Sequence, residues 1–101
     1  MEDRRKYERF NCELDTIVLD KHGNEVDAII RNVSFHGLGV EVFANLEYMV
    51  GDIIKVYIDD NIFVEMHVIR KDLTEIRHWY YGLEGYDMTT ENMDRILLLA
   101  N

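Results

Sequence analysis

Proline is absent from all 101 residues, where average usage would place about five. There is therefore no Pro-rich linker, no PxxP ligand and no proline-marked domain boundary. Cysteine occurs once, as Cys12, which excludes an internal disulfide and leaves no Cys-based zinc framework. A single thiol favours a reducing, cytoplasmic setting. Long apolar runs are missing as well: the longest hold five residues or fewer, such as Ile96–Ala100, so no membrane insertion is expected. The first ten residues are charged throughout, which does not fit a secretory signal. Cations are scarce, 11 against 20 acidic residues for a net charge of −9. A general nucleic-acid binder needs a basic face, so this balance argues against DNA or RNA as partner.

What is present suits one globular domain: 48% hydrophobic and 11% aromatic residues are enough for one modest core. The charge is unevenly placed. Arg4, Arg5, Lys6 and Arg9 outweigh Glu2, Asp3 and Glu8 in the first ten residues, a net of +1, while the remainder carries −10. Either the basic cluster is a solvated tail, or it is an anion-gripping arm on a domain that otherwise repels anions.

Short β-rich segments lie between glycine and Asx punctuation. Strands are expected at Glu13–Leu19, Glu25–Val33, Leu38–Phe43, Ile53–Asp59, Ile62–Lys71 and Ile76–Asp87. Turns are expected at Asp20–Asn24, at Asp59-Asp60-Asn61 and at Asp72–Glu75. Alternation is clean at Ile54, Val56 and Ile58 against Lys55, Tyr57 and Asp59. From Thr89 to Asn101 the period changes: Met93, Ile96, Leu97 and Ala100 form one helical stripe, with Thr89 or Thr90 as cap. Six strands and a final helix point to an all-β fold, a small antiparallel barrel or sandwich with a C-terminal α-helix.

The chemical inventory is thin, and no enzyme is expected. No phosphate-loop, zincin or nucleophile-elbow motif occurs. Cys12 has no basic neighbour in sequence and reads as a small hydrophobe. His22, His36, His67 and His78 lack metal-ligand spacing, so no metal and no cofactor are expected. Asp59 and Asp60 read as turn formers rather than an acid–base pair. Trp79-Tyr80-Tyr81 could stack bases, but without surrounding cations core packing is the simpler reading.

Two features stand apart. Arg5 and Arg9 are four residues apart and share a face in a helix or a strand. Arginine suits convergence on one ligand, because its planar fork pairs with phosphate or guanine and stacks on rings. Asn32-Val33-Ser34-Phe35-His36-Gly37 is an NxSxxG at a strand end. Asn32 and Ser34 share a face if the chain stays extended, and Gly37 can take positive φ and lets backbone approach a ligand closely. By itself this is also an ordinary turn.

Together and in this order, Arg5-x-x-x-Arg9, Asn32-x-Ser34-x-x-Gly37 and Tyr81-Gly82-Leu83-Glu84 before the helix resemble the PilZ family across essentially the whole chain. The resemblance implies a six-stranded antiparallel β-barrel with a C-terminal helix that binds the bacterial second messenger cyclic di-GMP. It implies that Arg5 and Arg9 clamp guanine edges and phosphates, that Asn32 bonds a guanine, that Ser34 contacts phosphate or guanine, and that Gly37 holds the turn. Arg4, just before the motif, implies two ligands per protomer. The expected organisation is a ligand-binding arm over residues 1–11, ordered by the ligand, and a barrel with its helix over residues 12–101. The implied function is a stand-alone cytoplasmic receptor, relaying through an effector protein to motility, exopolysaccharide or biofilm machinery. The alternatives are a PilZ-fold interaction adaptor that does not depend on the nucleotide, and a single-stranded nucleic-acid binder.

Overall fold

The computed structural model describes residues 8–100. Six strands precede one helix: β1 Phe10–Leu19, β2 Glu25–Val33, β3 Gly37–Val42, β4 Ile53–Asp59, β5 Ile62–Leu73, β6 Trp79–Glu84 and α1 Thr90–Leu99. All neighbours are antiparallel, and the sheet closes as β1-β2-β3-β6-β5-β4. The expected barrel with a C-terminal helix is thus the fold. Period-two patterning produces it. Ala28 and Ile30, Ile54, Val56 and Ile58, and Val64, Met66 and Val68 all point inward and are buried. Tyr81 is also fully buried, and its hydroxyl accepts from the Leu46 amide at 3.2 Å. A buried phenol needs such a partner.

The ends of the barrel are covered differently. The β3–β4 connection buries Leu46 and Tyr48, and the Tyr48 hydroxyl donates to the Leu19 carbonyl at 2.7 Å. Helix α1 packs on β1 and β4 through its Met93–Ile96 stripe. Thr89 caps it, its hydroxyl accepting from the Asn92 amide at 3.2 Å.

Two hairpins use the same three-residue turn with different residues. After β1, Asp20 and Asn24 close the loop at 2.9 Å and Gly23 takes φ 84°. After β5, Thr74 and His78 close it at 2.7 Å and Arg77 takes φ 64°. This is a type I turn followed by a left-handed residue, a position glycine usually fills. With arginine there, the turn's true place is hidden, and the sequence puts it early, at Asp72–Glu75. β5 consequently runs on to Leu73 and β6 starts only at Trp79, not at Ile76 as the pattern suggests.

Irregularities in β1 and β2 matter most for the outer wall. Asn11 faces Asn32 and Leu14 faces Ile30, so β1 carries one extra residue there. Ile30 faces Val40 and Asn32 faces Gly39, so β2 carries one extra residue, Arg31, against β3. Bulges of this kind re-aim side chains. Arg31 and Asn32 both stay off the core, while Val33 returns to it fully buried.

Candidate functional site

Four strands contribute one row of residues across the outer wall: Asn32 on β2, Gly39 on β3, Gly82 on β6 and Arg70 on β5. The two glycines leave a trough. Tyr80, next along β6 on the same face, reaches across it, and the Asn32 amide nitrogen donates to its hydroxyl at 2.9 Å. A Cβ on Gly39 would stand 2.0 Å from that hydroxyl and 2.4 Å from the Asn32 nitrogen. Gly39 is therefore what permits the pair. Its φ is not left-handed; close approach is its role.

The resulting groove has a volume of about 430 Å³ and is lined by Arg9, Asn11, Asn32, Arg70, Asp72, Thr74 and Tyr80. Arg70 pairs with Asp72, and its guanidinium lies 5.7 Å from the Tyr80 ring centre. Arg9 is exposed and, among the described residues, makes no ion pair. The groove thus offers a free guanidinium, an aromatic face with an arginine plane over it, and an amide. Such a set suits a planar, anionic ligand with hydrogen-bonding edges.

The expected site residues fall into three groups. Arg9 and Asn32 meet in the groove. Ser34 and Gly37 do not line it. Ser34 is buried, and its amide donates to the Gly37 carbonyl at 3.0 Å, which closes the turn into β3. Gly37 has no positive φ, contrary to the expectation from sequence. A Cβ there would lie 2.8 Å from the Leu83 carbonyl on β6, so the turn needs glycine for close backbone approach. Arg4 and Arg5 lie outside the described residues, as does most of the expected arm. Tyr80, Arg70 and Gly39 are additions to the expected set. Tyr80 corrects the core reading of the Trp79–Tyr81 run: Tyr81 is core, but Tyr80 faces outward, as strand alternation requires.

An ion-pair cluster braces the bulge beside Asn32. Arg31 donates to Glu41 at 2.8 Å and to Glu13 at 2.7 Å, and the other Glu41 oxygen meets His78 Nδ1 at 2.6 Å. The hydrogen bond with His78, followed by that from Arg31, holds the Glu41 carboxyl below the usual range despite its burial. A folded carboxyl with a depressed pKa stabilises fully above the unfolded value, and that contribution is lost as pH falls through the folded one. Glu41→Gln is expected to flatten the fall in stability as pH drops below about 5. Urea unfolding of both proteins across that window checks it; parallel curves would contradict it. Cys12, by contrast, is half-buried, and burial pushes its thiol up, away from the reactive thiolate.

Comparison with known families now bears on this geometry. The PilZ domain model matches residues 3–100. The chain belongs to the PilZ domain family. PilZ domains are receptor or adaptor domains, not enzymes. No curated protein matches the chain by sequence. Among solved structures, the Bacillus subtilis inhibitor of motility, MotI/DgrA, aligns with TM-score 0.68 at 20% identity, covering 97% of this chain and 49% of that one. This chain therefore spans about half of that protein's length. The PilZ domain of YcgR from Escherichia coli, solved with cyclic di-GMP, aligns with TM-score 0.63 at 15% identity over 96% of this chain and 92% of that one. At these identities both show the fold. Among the described residues no helix is long and apolar enough to cross a membrane, and no group of His, Cys, Asp and Glu could hold a metal ion.

Proposed function

We propose that this PilZ domain is a receptor for cyclic di-GMP and that the outer-wall groove is its site. One observation carries the reading: the groove unites Arg9, second arginine of the RxxxR, with Asn32, first residue of the NxSxxG. In this reading Arg9 forks onto a phosphate or the guanine O6/N7 edge, and Arg5 joins it. Asn32 bonds a guanine, Tyr80 and Arg70 offer a stacking face, and the Ser34–Gly37 turn contacts the ligand's rim. The acidic body opposes a dianion, but salt screens that repulsion beyond about 8–10 Å.

The output is a protein contact made by the ligand-altered surface, with no catalysis, DNA or RNA involved. The PilZ structure with cyclic di-GMP and the neighbour named for motility inhibition support relay into motility; exopolysaccharide and biofilm control are further branches of the same proposal. A cytoplasmic receptor fits the single thiol and the soluble ligand.

Calorimetric titration with cyclic di-GMP at defined salt tests this. Saturable binding is the expected result; no heat and no shift in thermal unfolding would leave only the nucleotide-independent adaptor. Arg4 adds a guanidinium to the segment, matching the extra charge of a stacked ligand pair. Two ligands per chain are therefore expected, and Arg4→Leu should lower the count toward one while keeping binding through Arg5 and Arg9. A wild-type ratio of one refutes the pair and leaves the receptor standing.

A further inference from the structure

A second groove, of about 520 Å³, opens where the barrel closes between β1 and β4. These strands pair only at Val18 and Val56, whereas the other neighbours are laddered along their lengths. Next to that single bridge, the Thr16 hydroxyl donates to the Tyr57 carbonyl. Beyond it the strands flank an opening that Leu14, Ile17 and Leu99 line with apolar surface. Five carboxylates share the lining: Asp15, Glu25, Asp27, Asp59 and Asp60. No cation lines it. Asp59 meets Arg95 at 3.5 Å; the other four have no ion-pair partner among the described residues.

The end of α1 adds to this face. Leu99, its residue in the lining, is 47% exposed, and the last turn holds no basic residue. A helix C-terminus is the negative end of its dipole and favours a cation nearby. The face therefore combines apolar contact area with uncompensated negative charge.

We propose that this seam groove docks a basic, apolar-anchored segment of a partner protein, laid extended between β1 and β4. Charge selects the occupant. A second copy would bring the same five carboxylates against these. Anionic membranes and nucleic acids are repelled in the same way. A bare metal ion has no ligand cluster to hold it among the described residues. Lysine or arginine side chains would pair with the carboxylates, and alternate apolar side chains would enter between Leu14, Ile17 and Leu99. The proposal is independent of the nucleotide reading, since none of these residues lines the outer-wall groove.

A fluorescein-labelled peptide alternating lysine with leucine is the probe, titrated by anisotropy at low salt against the full chain. Saturable binding is expected, weakened by about tenfold or more in Asp27→Lys/Asp60→Lys. A lysine–serine peptide of equal charge should bind about tenfold more weakly than the lysine–leucine one. Thermal unfolding verifies that the variant is folded; should it not be, Asp27→Asn/Asp60→Asn replaces it with the same expected direction. Equal binding by wild type and variant, or by both peptides, overturns the proposal. So does peptide binding that tightens when residues 1–7 are removed, which would make the chain's own basic segment the occupant. A wild-type dimer in sedimentation that this variant dissociates would assign the face to a second copy instead.

Discussion

Arg9→Ala is expected to weaken cyclic di-GMP binding by about tenfold to over a hundredfold, with thermal unfolding nearly unchanged. A charge-assisted hydrogen bond contributes roughly 1.5–3 kcal/mol, which converts to that range in dissociation constant. Stability should be spared because Arg9 precedes β1, is exposed and makes no ion pair among the described residues. Arg9→Lys separates charge from shape: it keeps the cation but loses the planar fork, so its affinity should fall between wild type and alanine. Calorimetry on the three folded proteins provides the comparison. Unchanged affinity in Arg9→Ala would remove Arg9 from the site.

Gly39→Ala is the second large effect, and it acts through space rather than charge. The new methyl would fall 2.0 Å from the Tyr80 hydroxyl, 2.4 Å from the Asn32 nitrogen and 2.7 Å from the Asn32 oxygen. All three are ends of side chains, so the barrel can fold by pushing them aside. The 2.9 Å bond between Asn32 and Tyr80 would then be broken and the amide turned away from its place in the groove. Loss of the guanine contact should weaken binding by about tenfold or more, while the unfolding midpoint moves by only a few degrees. Gly37→Ala is a different case: its methyl would meet the Leu83 backbone carbonyl at 2.8 Å, so strand pairing itself must shift. A Gly39→Ala protein that binds normally would separate the Asn32–Tyr80 pair from recognition.

The regular parts of this fold were legible because alternation survives wherever one face is buried. β2 and β4 have the bounds their patterns predict. Legibility failed where an exceptional residue occupies a special backbone position. Arg77 fills a left-handed turn position usually held by glycine, which displaced the start of β6. The β1 and β2 bulges left no composition signal. Asn32 and Ser34, two residues apart, share a face only if the chain stays extended; β2 ends at Val33, so they separate, one in the groove and one in a closed turn. Tyr80 was readable in principle: alternation with Tyr81 and Leu83 puts it outside once the buried face is known. Arg70 and Gly39 were not, because only the register across four strands brings them beside Asn32.

Amide chemical shifts of the labelled protein, followed during titration with cyclic di-GMP, test the central claim most directly. The account predicts that the largest changes cluster at Arg9 and Asn11, at Asn32–Gly39, at Arg70 and at Tyr80–Gly82, leaving Asp15, Asp27 and Asp60 at the β1–β4 seam nearly unmoved. No changes at saturating ligand, or changes concentrated at the seam, would contradict it.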